Sequence, residues 1–167
     1  MKYCNRCLTT DLRPNASFLN GVCIACNYSE KDSFSDPSLK LKILQDKIQQ
    51  SRKKQKNKGA YDCIVGVSGG KDSTRQAHWV RDRLGLRPLL VCCAYPPKQM
   101  SEIGAKNLSN LIDMGFDIIA ATPAPQTAAQ LALESFKQFG NVCKSSEMSL
   151  FSTVPRLAIE LGVNTIF

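Results

Sequence analysis

Two groups of residues have the types and spacing that chemistry needs. The first is Ser68-Gly69-Gly70-Lys71-Asp72-Ser73, which directly follows the apolar run Cys63-Ile64-Val65-Gly66-Val67 and opens a helical pattern. A turn of this kind at the carboxyl end of a parallel strand leaves backbone N–H groups unpaired and aims the positive end of a helix dipole at them. Phosphate binding is the physical expectation. The two glycines let the backbone wrap closely around an anion, Lys71 adds charge, and the Ser68 and Ser73 hydroxyls add donors. The run is not a Walker A loop, because Val65 stands where that pattern needs its first glycine and Asp72 follows the lysine. Nor do Gly66, Gly69 and Gly70 have the spacing of a dinucleotide loop. The plain alternative is a glycine-rich strand-to-helix turn without a ligand.

The second group is Cys4-x-x-Cys7 and Cys23-x-x-Cys26, two pairs separated by 15 residues. That spacing suits a single tetrahedral Zn2+ held by two knuckles. Four thiolates would close the ion to substrate, so its role would be structural. An iron–sulfur cluster or unmetallated thiols are the other readings. The remaining cysteines are Cys63 in an apolar run, Cys92 and Cys93 at the end of a second, and Cys143, expected in a loop. Burial as small apolar residues is the plain account of these four and a sulfur-carrying thiol the functional one, while Cys92 or Cys93 could instead shape an adenine pocket with its backbone. His78, the one histidine, falls in a helical pattern and reads as a surface or packing residue. A zinc deaminase is excluded because its His-x-Glu and Pro-Cys-x-x-Cys elements are missing.

The elements that must position these groups are legible as patterns. Residues 1–36 are polar, with no sustained period, and cannot fold around a core of their own. Metal binding would supply most of their folding free energy. Residues 37–60 read as a basic connecting helix: Leu41, Leu44 and Ile48 share one stripe from about Ser38 to Ser51, and a basic tail runs to a stop at Gly59. From 61 to 167 short apolar runs alternate with amphipathic stretches, the signature of βαβ units and a parallel sheet. Strands are expected at 61–67, 87–94, 116–121 and from about 164. Helices are expected at 72–84, 101–114 and 128–139. Ala77, Val80, Leu84, Leu108, Leu111 and Ile112 should point inward. A further helix near 148–161 should bury Leu150, Phe151, Val154, Leu157, Ala158 and Leu161, with Pro155 starting it late or kinking it. The closing residues read as a strand being entered, which implies a longer protein.

Composition narrows the setting. The chain of 167 residues is 43 % hydrophobic and 22 % charged, a globular balance. It has no apolar run of membrane-spanning length and no signal peptide, so a cytoplasmic location is expected. A reducing compartment favours metal binding over disulfides for the eight cysteines. The formal charge of +8 is concentrated between Lys40 and Lys58, where eight Lys or Arg face one acid, Asp46.

The run Ser-Gly-Gly-Lys-Asp-Ser after a first strand resembles the PP-loop family of ATP pyrophosphatases. The resemblance implies an α/β parallel-sheet domain that holds ATP and transfers AMP to a carbonyl or amide oxygen. It assigns Ser68, Gly69, Gly70, Lys71 and Ser73 to phosphate, with Asp72 acting through Mg2+ or by fixing the loop. Lys71, Asp72 and Ser73 are the candidate catalytic residues. Two branches fit. The tRNA thiolases place a double C-x-x-C before the loop, but are usually marked by a cysteine pair after it, which is missing here. The N-acetyl sugar amidotransferases of bacterial surface-polysaccharide and nonulosonic acid synthesis are resembled along nearly the whole chain. The matching runs are Tyr3-Cys4-x-x-Cys7-Leu8, Gly21-Val22-Cys23-x-x-Cys26, Tyr61-Asp62-Cys63-Ile64-Val65, Asn107-Leu108 to Gly115-Phe116-Asp117, and Phe151 to Pro155. That resemblance implies ATP-dependent replacement of an acetamido oxygen by ammonia from a glutaminase partner, with an N-acetyl sugar, nucleotide-linked or a nonulosonate, as acceptor. A third reading, from the basic run, is a zinc-ribbon module that binds nucleic acid. The run lacks interleaved aromatics for stacking bases, and a solvated helix face explains it as well.

Overall fold

A computed structural model describes residues 1–33, 36–54, 59–95, 98 and 100–167. The chain divides into two compact units, Met1–Asp46 and Lys47–Phe167. Residues 55–58 of the expected basic tail lie outside the described residues.

The first unit is built around a two-stranded hairpin, β1 (Phe18–Leu19) and β2 (Val22–Cys23), paired Phe18 with Cys23 and Leu19 with Val22. Asn20 and Gly21 connect them, both with positive φ (51° and 77°). This is the backbone a two-residue primed turn requires and the reason Asn-Gly favours it. Helix α1 (Ile24–Ser33) follows at once. The sequence pattern gives no sign of this helix, since Ile24 and Tyr28 are both exposed. Among the described residues of this unit only Cys4 and Cys23 are buried. The expected lack of an apolar core is thus found, and the thiols stand in its place.

Helix α2 (Pro37–Lys54) starts with proline in its first turn, a position where the missing N–H costs nothing. The Asp36 carboxylate accepts the Ser38 N–H at 2.9 Å as a cap. Of the expected stripe, Ile48 is buried, Leu44 partly so and Leu41 exposed.

In the second unit a parallel sheet runs β3 (Cys63–Gly66), β4 (Pro88–Cys93) and β5 (Asp117–Ala121), in that spatial order. Ile64 pairs with Leu89, and Leu90 with Ile118. Connecting these strands are α3 (Lys71–Asp82) and α4 (Glu102–Asp113). After β5 come α5 (Pro125–Phe139) and α6 (Cys143–Leu161). The chain then returns to the free side of β3, where Ile166 bridges Ile64 in parallel. The Ile64 N–H donates to the Thr165 carbonyl and the Phe167 N–H to the Ile64 carbonyl, both at 2.9 Å. The expected fourth strand is therefore present as a single bridge. α6 packs on this sheet through Ala158, Val154 and Leu157 over Ile64, Leu89 and Val91.

Several expectations need correction. α6 begins at Cys143, not near 148, so Cys143 is its first residue rather than part of a loop. Pro155 lies inside that helix without ending it. An interior proline costs about 3 kcal/mol, and here Val154, Leu157 and Ala158, packed on either side of it, offset that cost. Leu150, Phe151 and Leu161 are exposed, as is Ile112 of α4, because three strands and a bridge offer too narrow a face to cover every apolar side of these helices. Ala77, Val80 and Leu111 are buried as expected.

Asp62, just before β3, ties the sheet to α2. Its carboxylate accepts the Arg87 N–H at 2.8 Å and pairs with the Arg52 guanidinium at 2.8 Å. Burial pushes this carboxyl up, but the Arg52 side chain and the Arg87 N–H together hold it below the usual aspartate value. A depressed value means that its contribution is present at neutral pH and lost as pH falls below about 4. Asp62→Asn is expected to cost about 1 kcal/mol at pH 7, because the arginine side chains are largely solvated. Near pH 2 it should cost less. Urea denaturation at the two pH values checks this, and equal costs at both would refute it.

Candidate functional site

The run from Ser68 to Ser73 forms the turn between β3 and α3. Its shape is held by its own polar atoms. The Ser68 N–H donates to Ser73 Oγ at 3.3 Å, and that hydroxyl donates to the Gly70 carbonyl at 3.2 Å. The Gly70 N–H leans on Ser68 Oγ at 3.4 Å. No side chain caps α3, whose first turn therefore presents N–H groups to the loop. Gly69 has φ of 77°, and a Cβ there would lie 2.9 Å from Asn107 Cβ and within 3.2 Å of the Asn107 backbone. Glycine at this position is thus required twice, by conformation and by the close approach of α4. Lys71 and Asp72 form an ion pair at 3.0 Å in which both side chains are almost fully exposed. Such a pair adds little stability and leaves both groups free to meet a ligand.

The sheet order gives the loop its position. β4 lies on one side of β3 and the residues around Ile166 on the other, so the connections leaving β3 and returning to it run in opposite directions. In open parallel sheets such a reversal creates a crevice at the carboxyl ends of the strands, where ligands bind. Ser68–Ser73 sits at that end of β3. The structure brings all six sequence-predicted loop residues together there.

Comparison with protein-family models and with curated protein sequences finds no match to this chain. What the site can do therefore rests on its geometry.

The four front cysteines converge. Their sulfurs all lie within 4.8 Å of one another, and Cys7 Sγ is 3.7 Å from Cys23 Sγ. A tetrahedron with Zn–S bonds of about 2.3 Å has sulfur–sulfur edges of about 3.8 Å, so the cluster could hold a metal such as zinc. Backbone donors support the sulfurs: the Cys23 N–H reaches Cys4 Sγ at 3.2 Å, the Arg6 N–H the same atom at 3.4 Å, and the Cys26 N–H Cys23 Sγ at 3.5 Å. The Cys23 N–H does most to lower the Cys4 thiol to about 6, and the Thr9 hydroxyl lowers Cys7. Cys26 is pushed up to about 12 by its hydrogen bonds to the Cys7 and Cys23 sulfurs. Sulfurs this close cannot all be thiolates without a cation among them.

Of the other cysteines, Cys63 is fully buried and raised to about 12 by burial, and burial also raises Cys92. Neither is suited to carry a thiolate. Cys143 is exposed at the start of α6, and Cys93 is partly buried. His78 contacts Asp82 Oδ2 at 3.2 Å and stacks edge-on against Phe116. These contacts account for it as a packing residue. Among the described residues no helix is long and apolar enough to cross a membrane.

Sequence reasoning missed Asn107 as a neighbour of the loop. Its signal lies in the tertiary packing of α4 and not in any local pattern.

Proposed function

We propose that the second unit is a PP-loop domain that binds ATP and transfers its AMP to the oxygen of an acetamido group, which ammonia then replaces. The observation that carries this reading is the uncapped, glycine-bent Ser68–Ser73 turn at the carboxyl end of β3, where the strand order reverses. The resemblance of the chain to N-acetyl sugar amidotransferases supplies the acceptor class. The sulfur-transfer reading is weakened by the burial of Cys63 and Cys92.

The chemistry follows from the weakness of an amide oxygen as a leaving group. The acetamido oxygen attacks the α-phosphorus and pyrophosphate departs with the electrons of the broken P–O bond. Ammonia then adds to the activated carbon and loses a proton, and AMP leaves with the former amide oxygen. The product is an acetamidine in which NH has replaced O. In this scheme Lys71 neutralises the phosphates, the α3 amides and the Ser68 hydroxyl orient them, and the Ser73 hydroxyl holds the turn that presents these donors, where most of the rate would arise. Mg2+ would spread the charge of the phosphates further, with Asp72 the loop carboxylate available to hold it.

The test incubates the protein with ATP, ammonium and N-acetyl sugars of the nucleotide-linked and nonulosonate classes. The expected products are AMP, pyrophosphate and a sugar lighter by the difference between O and NH. Untouched sugars together with ATP-dependent sulfur incorporation into tRNA would overturn the acceptor assignment.

A further inference from the structure

A cavity of about 250 Å3 opens where the carboxyl ends of β4 and β5 meet α5 and α6. Its walls include Cys93 and Tyr95 after β4, Ala128 and Ala132 of α5, and Ser145 and Ser149 of α6. Among the described residues, none of the 68–73 loop lines it, and no charged side chain does either. It lies at the same end of the sheet as the loop, however. The Val67 N–H donates to the Val91 carbonyl at 2.8 Å, so the chain entering the loop runs beside β4 just before Cys93. Adjacent strands are about 4.8 Å apart, which places the cavity one to two strands, roughly 5–10 Å, from the loop.

The cavity is on the β4 side of β3, opposite the side on which Ile166 bridges Ile64. A nucleotide lying over the reversal of strand order with its phosphates on the loop would leave the β4 side to the second reactant. The wall chemistry then says what that reactant presents. A phosphate or carboxylate would enter without a compensating charge, which is costly. A neutral group with a small apolar end and a polar edge fits better. Alanines from α5 can meet a methyl. The Ser145 and Ser149 hydroxyls each donate their proton to a backbone carbonyl, Val142 at 3.2 Å and Ser145 at 3.1 Å, which turns their lone pairs into acceptors for a ligand N–H.

Resting on the function proposed above, we infer that the α5–α6 cavity receives the acetamido group of the acceptor. The methyl lies against Ala128 and Ala132, the N–H donates to Ser145 or Ser149, and the carbonyl oxygen faces the loop. The volume is just below the roughly 300–1,000 Å3 of pockets that enclose a whole drug-sized ligand. It is ample for the acetamido end, with room for part of the sugar ring.

The test is saturation-transfer NMR on the acetyl methyl signal of a panel of N-acetylhexosamines, free and nucleotide-linked, with wild-type protein and two variants. Ala132→Phe fills the cavity from a partly exposed position, and Ser149→Ala removes one acceptor with almost no change of shape. Wild type should saturate the methyl. Ala132→Phe should weaken binding by about tenfold or more, and Ser149→Ala by a smaller factor. Both variants should keep wild-type ATP affinity, and Lys71→Ala should keep the methyl signal, which separates this site from the loop. No methyl saturation from any panel member, or equal saturation in Ala132→Phe, overturns the inference. Displacement of the sugar by adenosine, with adenosine binding lost in Ala132→Phe, assigns the cavity to the base instead and also overturns it. Loss of ATP binding in Lys71→Ala bears only on the loop, whichever way the cavity test falls.

Discussion

Adding a strong chelator to metal-loaded protein is expected to unfold residues 1–33 while leaving the unit from Lys47 to Phe167 intact. The reason is the distribution of buried groups. Among the described residues of the first unit the buried ones are the thiol-bearing Cys4 and Cys23, and its strands are two residues long. The Arg6–Glu30 pair at 2.7 Å is half exposed and contributes little. Structural zinc supplies about 10–16 kcal/mol in modules of this size, far more than these contacts can provide. The second unit has its own core in Ile64, Val65, Val80, Leu90, Val91 and Leu111, all fully buried. Amide hydrogen exchange should therefore show protection of Val22, Cys23 and the α1 backbone collapsing with chelator, and protection of β3 and β4 unchanged. Cys23→Ser should behave as the chelated protein does. Protection of α1 that survived both treatments would show that the unit folds without metal.

The parts of the molecule that the sequence reveals are those in which local chemistry and local pattern agree. Ser68–Ser73 is legible because the glycines, the lysine, the preceding apolar run and the following helix all sit within a few residues of one another. The cysteine pairs are legible for the same reason, since ligand spacing is itself a local property. Helix α1 is not, because its apolar residues face solvent and its first turn is anchored through Cys26, so no periodic stripe forms. The hairpin signal Asn20-Gly21 was present in the chain and carries a turn geometry that short flanking strands obscure. The unbroken passage of α6 through Pro155 depends on Val154 and Ala158 meeting Ile64 and Val91, contacts between residues far apart in sequence. Exposure of Ile112 and Phe151 follows from the width of the sheet, which no single helix encodes. The position of the loop at a reversal of strand order likewise needs the return of Ile166 to β3.

Substitutions in the loop are expected to produce the second large effect. Gly69→Ala asks for a left-handed backbone with a Cβ only 2.9 Å from Asn107 Cβ, so the turn or α4 must shift. Lys71→Ala removes a charge-assisted contact to phosphate without disturbing the fold, since its side chain is almost wholly exposed. Contacts of that kind are worth about 1.5–3 kcal/mol, or about 10- to 150-fold in affinity. Ser73→Ala deletes the hydroxyl that joins the Ser68 N–H to the Gly70 carbonyl and should loosen the turn, with a smaller loss.

Calorimetric titration of the wild-type protein and these variants with ATP tests the central claim most directly. The account predicts saturable binding at one site per chain, weaker by about tenfold or more in Lys71→Ala and Gly69→Ala, both of which remain folded through the β3–β4 core. Wild-type protein that does not bind ATP, or ATP affinity unchanged in both variants, would contradict it.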